Sequence, residues 1–373
     1  MAGTPDVAEV SVDDLRRILE RHERVTVLDV RNAADRAEWF IPGSLHVDVH
    51  DALWANDPKA LADFAPPAGV PVVTVCGRGR TSVLASRRLQ ERGVRSVSLR
   101  GGMQAWSLAW NVAPVRLDRS RAEVLQVRRT GKGCLSYVVG SRGVAAVIDP
   151  ALDPSVYFDI ARSRGWKISQ VLDTHVHADH LSRARVLAES AGATVYLPEQ
   201  RRVGYQHTPV RDGDSLTIGE AQLKVIATPG HTFESACYLL EGAALFTGDT
   251  LFLGTVGRPD LAAKADEETR NRARLLHGSL QRLIGLPAET LVLPGHTSEP
   301  IAFDARPIAD RLDAVRERAH VLRLSEDDFV PLIVSRVPAP PANHSMIVQH
   351  NERGDLPDDP TLLEAGANRC TVG

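Results

Sequence analysis

The sequence lacks any apolar run long enough to cross a membrane, and it carries little excess charge. Its longest apolar runs fall far short of the roughly 20 residues that a spanning helix needs. The 373 residues include 44 Lys and Arg against 47 Asp and Glu, a formal net charge of −3. Such a balance gives no bulk attraction to nucleic acid or to anionic lipid. We therefore expect neither a membrane anchor nor a nucleic-acid partner.

Cysteine is also scarce. Cys76, Cys134, Cys237 and Cys370 are scattered along the chain and form no CxxC pair, which excludes a disulfide framework. Residues 1–10 are polar and lack the charged and apolar regions of a secretory signal. These features predict a reducing, cytoplasmic location with free thiols. Cys370, close to the end of the chain, is expected to be a passive surface residue.

The first third of the chain alternates between strand and helix patterns. Length alone suggests two or three domains. Within residues 6–112, β-rich apolar runs at 25–30, 70–75 and 94–99 predict buried parallel strands, and residues 83–92 predict a helix. This alternation indicates an α/β domain with a doubly wound parallel sheet.

A candidate reactive thiol follows the second of these strands. Cys76 lies at the carboxyl end of the strand, where ligands bind in such sheets. The glycines after it let backbone amides converge on an anion, the next helix adds its positive end, and Arg78 and Arg80 add full charges. Together these favour a thiolate or a persulfide. A tyrosine-phosphatase loop is excluded because Ser82 stands where that loop needs Arg, and no Walker A sequence is present.

Residues 6–112 resemble the rhodanese sulfurtransferases. The resemblance rests on Leu28-Asp29-Val30-Arg31, Glu38 with Ile41-Pro42-Gly43-Ser44, the Cys76 loop, and Leu99-Arg100-Gly101-Gly102 with Ala105-Trp106. Two departures are Phe40, where the family usually has His, and Arg80, one position before the usual late Arg of the loop. The resemblance implies that Cys76 accepts and donates sulfane sulfur as a persulfide, with Arg78 and Arg80 as catalytic-loop residues.

A different pattern follows a charged, proline-containing segment at residues 113–121, which we interpret as a linker. Residues 122–335 begin with strands separated by Gly-containing turns, a hairpin signal, and we interpret them as a metal-binding domain. Residues 336–373 are predicted to form a C-terminal tail.

Potential metal ligands are concentrated in residues 174–180. His175, His177 and Asp179 alternate along a predicted extended segment and so share one face, and His180 follows where a helix is expected to begin. Three later predicted strands each end in a Gly-containing turn that carries one more ligand-type side chain. The backbone is rigid up to each turn, and rigid strand ends preorganise a metal site. These side chains are His231, Asp249 and His296.

Residues 122–300 resemble the metallo-β-lactamase superfamily, which implies an αββα sandwich and leaves two metal arrangements open. In the first, His175, His177 and His231 hold one zinc ion, Asp179, His180 and His296 hold another, and Asp249 bridges them. That site would activate water for thioester hydrolysis, as in glyoxalase II. In the second, only His175, His231 and Asp249 hold one Fe(II) and leave positions open for O2.

Residues 252–261 resemble the segment after the metal-binding Asp of persulfide dioxygenases. In that family, iron is held by the residues that match His175, His231 and Asp249. The resemblance also implies that Arg258 and Asp260 either orient this loop or contact an anionic substrate. The other ligand-type residues would then shape the pocket from a second shell. They are His177, Asp179, His180 and His296.

The whole chain therefore resembles rhodanese–persulfide dioxygenase fusions, in which tethering raises the local concentration of a shared sulfur carrier. The resemblance implies oxidation of a low-molecular-weight thiol persulfide by O2 to thiol and sulfite, with one Fe(II) per chain and sulfur transfer at Cys76. Persulfide or thiosulfate, a small thiol and O2 are the expected partners, and a homodimer is compatible with the superfamily. The alternative is a two-zinc thioester hydrolase with an attached sulfurtransferase.

Overall fold

A computed structural model describes residues 7–261, 263, 265–341, 343–366, 368 and 370–372. Two α/β domains follow one another along the chain, and the predicted fold class is confirmed. Across the described residues, no helix combines the length and the apolar character needed to cross a membrane.

The N-terminal domain contains a fully parallel sheet in the order β1-β5-β4-β2-β3. Its elements are β1 (Glu9–Val10), α1 (Val12–Glu20), β2 (Thr26–Asp29), α2 (Ala33–Glu38), β3 (Leu45–His46), α3 (His50–Trp54), β4 (Val72–Val75), α4 (Arg80–Glu91), β5 (Ser96–Leu99) and α5 (Gly102–Trp106). One face of the sheet packs on α3 and α4 through Leu53 and Leu89. The other packs on α1 and α5 through Leu15 and Trp106. The doubly wound arrangement therefore has helices on both faces.

The second domain begins with a mixed sheet in the order β12-β11-β10-β9-β8-β7-β6. Its elements are β6 (Asn111–Val115), β7 (Glu123–Arg128), β8 (Leu135–Ser141), β9 (Val144–Ile148), α6 (Pro154–Ser163), β10 (Lys167–Leu172), α7 (Ala184–Ala191), β11 (Thr194–Pro198) and β12 (Thr208–Val210). Because β6 pairs with β7, the first residues of the predicted linker are part of this sheet rather than a free connection.

A second mixed sheet follows in the order β13-β14-β15-β16-β17-β18. It contains β13 (Ser215–Ile218), β14 (Ala221–Ala227), β15 (Ala236–Leu240), β16 (Ala244–Gly248), β17 (Leu291–Pro294) and β18 (Asp310–Arg311). The helices after β16 are α8 (Asp266–Ile284), α9 (Leu312–Arg318), a 3-10 turn (His320–Arg323), α10 (Glu326–Ser335), α11 (His344–Arg353) and α12 (Thr361–Glu364).

Three apolar layers make the second domain a four-layer αββα sandwich. The central layer lies between the two sheets and includes Tyr137 and Phe246, whose rings meet edge to face at 4.9 Å. The outer layers contain Tyr157 of α6 on one side and Leu276 of α8 on the other. Since the sheet faces are filled with apolar side chains, polar ligands are left to the strand ends.

The chain between β7 and β8 joins the two domains. The indole nitrogen of Trp39 donates to the Thr130 carbonyl at 3.0 Å, and Arg129 donates to the Ser107 carbonyl at 2.6 Å. A Cβ atom on Gly131 would lie 1.8 Å from the Trp106 carbonyl oxygen. Only glycine therefore permits this close approach of the two backbones.

Candidate metal centre

The Cys76 side chain lies in a compact loop between β4 and α4. It is 2% exposed. Its sulfur accepts the Gly79 amide at 3.2 Å and contacts the Ser82 hydroxyl at 3.2 Å. Gly79, at φ +83°, forms the N-cap of α4, so backbone and hydroxyl groups surround the sulfur at a helix N-terminus.

Residues 101–104, which follow β5, pack against this loop and hydrogen-bond its backbone. The Met103 amide donates to the Cys76 carbonyl at 2.8 Å, and the Gln104 amide donates to the Gly77 carbonyl at 2.9 Å. A Cβ atom on Gly102, at φ +58°, would lie 2.2 Å from the Cys76 carbonyl oxygen. The glycine is therefore required by close backbone contact.

A cavity of about 290 Å³ opens beside Cys76. Arg78 and Arg80, both exposed, line it, and neither guanidinium has an ion-pair partner among the described residues. Arg31 also lines the cavity, but its guanidinium is paired with Asp29 at 2.7 Å. Two unpaired cations at the mouth suit a small anionic sulfur donor.

The predicted metal ligands come together at one end of the sandwich. His231, Asp249 and His296 lie in the turns that follow β14, β16 and β17. The extended conformation predicted for residues 174–180 is wrong. β10 ends at Leu172, the segment consists of bends, and α7 begins only at Ala184.

His175, His231 and Asp249 form one tight group of donors. One ligand atom from each lies within 4.8 Å of the other two. The carboxylate Oδ2 of Asp249 is 3.8 Å from His175 Nε2 and 3.6 Å from His231 Nε2. Both His175 Nε2 and Asp249 Oδ2 are buried, and neither has a hydrogen-bond partner within the described part of the chain. Buried, unpartnered and convergent donor atoms fit a bound cation.

Hydrogen bonds at Nδ1 fix the ring orientations of His175 and His231. The Thr174 hydroxyl donates to Asp149 at 3.0 Å and therefore accepts from Nδ1 of His175 at 2.9 Å. Nδ1 of His231 donates to the Arg258 carbonyl at 2.8 Å. In each ring Nε2 keeps its lone pair for a metal. Burial lowers the pKa of both histidines, which keeps them neutral.

Asp249 remains ionised in this environment. Burial alone would raise its pKa, but the charge and the 2.8 Å hydrogen bond of His296, with smaller contributions from His175 and His231, lower it below its usual range. His296 thus contacts the group through Asp249 and is not itself a member of any cluster of three donors among the described residues. Its Nε2 atom is buried and unpartnered.

Asp179 lies in a different environment from Asp249. Its Oδ2 atom accepts from the Asn368 amide and lies 3.5 Å from the Cys134 thiol, and its Oδ1 atom is 3.0 Å from Nδ1 of His180. Protein groups therefore already occupy both oxygens. Nε2 of His180 is buried and has no hydrogen-bond partner among the residues that the structure describes.

The His177 ring points its Nε2 atom at the carboxylates of Asp149 and Asp173. Its Nε2 atom is 3.2 Å from Asp149 and 3.8 Å from Asp173, while Nδ1 is 3.9 Å from Asp179. Burial lowers its pKa, but Asp149 and Asp173 more than offset this and raise it well above the usual value. Nε2 of His177 is therefore paired with Asp149 rather than left open as a donor atom.

Arg258 and Asp260 pair with each other. The guanidinium of Arg258 is fully buried, bonds Asp260 at 2.7 Å, and donates to the Pro338 carbonyl at 2.6 Å. Its own carbonyl accepts from His231. These contacts fit the loop-orienting alternative, and a direct substrate contact by either residue stays a prediction.

Described residues near the C-terminus contact both domains: Thr361 accepts from Gln104 of the N-terminal domain at 3.1 Å, and Glu364 packs into the second domain. Glu364 is fully buried, and each of its oxygens accepts from Arg129 and Arg183 at 3.0–3.2 Å. The expectation of a surface position for Cys370 is wrong, because its side chain is 0% exposed. Its sulfur lies within 4.8 Å of carboxylate oxygens of Asp179 and Asp249.

Sequence reasoning missed several residues of this centre. Asp149 and Asp173 position His177, and Asn368 and Cys134 contact Asp179. Asp149 carried a weak signal, since it follows an apolar strand just before a proline. The others lie in no recognisable motif.

Comparison with known proteins agrees with this architecture. The rhodanese-like domain family matches residues 11–109, and the metallo-beta-lactamase superfamily matches residues 129–296. A hydroxyacylglutathione hydrolase of Rhodospirillum rubrum is 36% identical over 189 residues, covering 49% of this chain and 70% of that protein.

Two solved structures are similar to this chain over somewhat more than half of its length. A metallo-beta-lactamase from Staphylococcus aureus subsp. aureus COL is 28% identical with a TM-score of 0.57, over 64% of this chain and 74% of that chain. ETHE1 from Myxococcus xanthus is 29% identical with a TM-score of 0.54, over 62% of this chain and 98% of that chain. The chain therefore belongs to the metallo-beta-lactamase superfamily and carries a rhodanese-like domain before its metallo-beta-lactamase domain.

Proposed function

We propose that this chain is an iron-dependent persulfide dioxygenase whose rhodanese-like domain transfers sulfane sulfur at Cys76. The net reaction is persulfide, O2 and water giving thiol, sulfite and two protons. The observation that carries the proposal is the contrast between two sets of donors. His175, His231 and Asp249 converge, and Nε2 of His175 and Oδ2 of Asp249 have no hydrogen-bond partner among the described residues, whereas both oxygens of Asp179 are already bonded by the protein.

Two neutral histidines and one carboxylate suit a single Fe(II). An ion bound by these three side chains would supply the redox chemistry with O2, since such sets leave coordination positions open. The chain's own contribution is to hold the ligand atoms in place before the ion arrives. Thr174 and the Arg258 carbonyl fix the two rings, and Asp249 stays ionised beside His296.

Similarity to ETHE1 supports the persulfide dioxygenase over other activities in the superfamily. The presence of a rhodanese-like domain supports it further, because a sulfurtransferase and a persulfide oxidase share one kind of sulfur carrier. In the N-terminal domain, Cys76 would attack sulfane sulfur, and the exposed Arg78 and Arg80 would hold the anionic donor. Free thiols in all four cysteines fit a reducing cytoplasm.

Anaerobic purification followed by metal analysis and O2 uptake tests the proposal. We expect about one iron per chain, with O2 uptake and sulfite release when glutathione persulfide is added. Two zinc ions per chain and no O2 uptake would refute it. Cys76→Ser should separately abolish sulfur transfer from thiosulfate to a thiol, and full retention of transfer in that variant would contradict the Cys76 assignment.

A two-metal thioester hydrolase is the second candidate. It is favoured by the similarity to a protein named hydroxyacylglutathione hydrolase and by the unpartnered Nε2 atoms of His180 and His296. Hydrolysis of S-lactoyl thiols by zinc-loaded protein, abolished in Asp179→Ala, would support this candidate. Under the dioxygenase proposal, the zinc-loaded protein should leave these thioesters intact.

A further inference from the structure

The C-terminal segment after α12 brings a thiol into the metal centre. Cys370 is fully buried, and its sulfur lies within 4.8 Å of carboxylate oxygens of both Asp179 and Asp249. Asp249 also belongs to the group with His175 and His231. Asp249 is therefore common to the group that contains Cys370 and to the group that contains the two histidines.

Backbone pairing holds Cys370 at this position. The Arg258 amide donates to the Cys370 carbonyl at 3.1 Å, and the Val372 amide donates to the Val256 carbonyl at 3.1 Å. The Thr255 hydroxyl donates to the Val372 carbonyl at 2.6 Å. The segment thus adds a short extended strand beside residues 255–258, which also orient His231, and the register of this pairing fixes which side chain faces the metal ligands.

A second set of contacts holds the segment upstream of Cys370. The Glu364 carboxylate is buried between Arg129 and Arg183 and also accepts the Leu181 amide at 2.7 Å. Asn368 donates to Asp179 through its amide nitrogen and accepts from the Cys370 backbone amide at 3.0 Å. The position of the sulfur is therefore determined from both directions along the chain.

The sulfur of Cys370 lies between an apolar patch, which includes Ala178 and Leu261, and a pair of carboxylates. Carboxylate oxygens of Asp179 and Asp249 lie within 4.8 Å of it, and Oδ2 of Asp249 is buried without a hydrogen-bond partner among the described residues. A thiol beside two carboxylates gains little unless a cation joins them. Thiolate, carboxylate and imidazole together are donors that suit a divalent transition metal.

We propose that Cys370 is a thiolate ligand of the metal centre, supplied by the C-terminal segment. On binding, the thiol proton is released to solvent, a sulfur–metal bond forms, and no electron is transferred. A small sulfur-containing substrate would then reach the metal by displacing this sulfur. That last step deepens the proposed function and rests on it, whereas ligation by Cys370 does not.

Cobalt(II) substitution tests the ligation directly. The metal-free full chain is loaded anaerobically with Co(II), and the near-ultraviolet thiolate-to-cobalt charge-transfer band is recorded together with the visible ligand-field bands. We expect both in the natural chain. In Cys370→Ser and Cys370→Ala the charge-transfer band should disappear while the ligand-field bands remain, and near-ultraviolet circular dichroism checks that these variants are folded.

Matched cysteine variants make the assignment specific. Cys134→Ser removes another buried thiol near Asp179, and Cys237→Ser removes a buried thiol bonded to Thr228. Both should keep the charge-transfer band. A natural chain that binds Co(II) without the band overturns the inference, and so does a band that survives in Cys370→Ser or is lost in Cys134→Ser.

The outcome is distinguishable from failure of the proposed function. A charge-transfer band in a protein whose iron form takes up no O2 with glutathione persulfide would refute the dioxygenase and leave Cys370 as a ligand. Conversely, a protein that takes up O2 with glutathione persulfide but whose cobalt form lacks the band would refute ligation by Cys370 and leave the dioxygenase proposal in place. For substrate displacement, added glutathione should shift the band in the natural chain, and an unchanged band at saturating glutathione would overturn that step.

Discussion

The two sides of the metal centre are built from the same seven-residue segment, yet they differ in what their donor atoms contact. On one side, the donor atoms of His175, His231 and Asp249 face each other, and those of His175 and Asp249 have no partner among the described residues. On the other, Asp179 is bonded by Asn368 and approached by the Cys134 thiol. Residues 174–180 therefore supply donor-type side chains to both sides, but residues far away in sequence contact the second set.

The largest effect is expected from removing a ligand on the free side. His231→Ala should abolish iron binding and persulfide-dependent O2 uptake, a loss greater than the roughly 10–100-fold typical of outer-shell changes. Iron content and O2 uptake measure this. His320→Ala, at an exposed histidine, is the matched control and should keep both. A His231→Ala protein with normal iron content would contradict the ligand assignment.

The next effect concerns the contact that anchors the C-terminal segment. Glu364→Ala leaves the guanidinium groups of Arg129 and Arg183 buried without their shared carboxylate, and removing one partner of a buried pair costs about 3–5 kcal/mol. Urea unfolding at neutral pH measures the loss. Glu189→Ala, which removes an exposed ion pair with Arg185, should change the free energy of unfolding little.

The same contact gives a pH dependence with a definite sign. Burial would raise the pKa of Glu364, but Arg129 and Arg183 more than offset this and lower it. A carboxyl group with a depressed pKa contributes stability that is fully present above its unfolded pKa of about 4.3 and is lost as the pH falls. Glu364→Gln should reduce this decrease below pH 5, and an unchanged slope in that variant would contradict the contribution.

A smaller effect is expected on the bonded side. Asp179→Asn keeps the shape of the side chain but removes the charge that accepts from Asn368 and pairs with His180. If one iron is the working metal, O2 uptake should fall by about 10–100-fold while the iron content stays near one per chain. Loss of all bound metal in Asp179→Asn would instead assign Asp179 as a ligand.

Much of the site could be predicted because its ligands follow local patterns. His231, Asp249 and His296 each follow an apolar strand, and strands of one sheet bring their ends together. Cys76 could be placed for the same reason, at the end of β4. The fold class followed from strand and helix alternation together with these motifs.

The remaining contacts depend on packing that no short pattern encodes. Asn368 and Cys370 reach the centre because Glu364 is buried between two arginines and because the segment pairs with residues 255–258. A single asparagine or cysteine near the end of a chain carries no such signal. The pairing of β6 with β7 is a similar case, because the charged, proline-containing sequence at residues 113–121 gives no local signal for it.

The smallest expected effect is the most direct test of why the two sides differ. Asn368→Ala removes the amide that bonds Asp179 and leaves His175, His231 and Asp249 untouched. A freed carboxylate beside the unpartnered Nε2 atoms of His180 and His296 forms a second donor set, so zinc content should rise from about one toward two ions per chain. Equilibrium dialysis with zinc measures this, with Asn343→Ala, near the start of α11, as the control that should stay near one. If the Asn368→Ala protein also stays near one, the contact with Asn368 is not what restricts the second side, and the Cys134 thiol becomes the residue to vary.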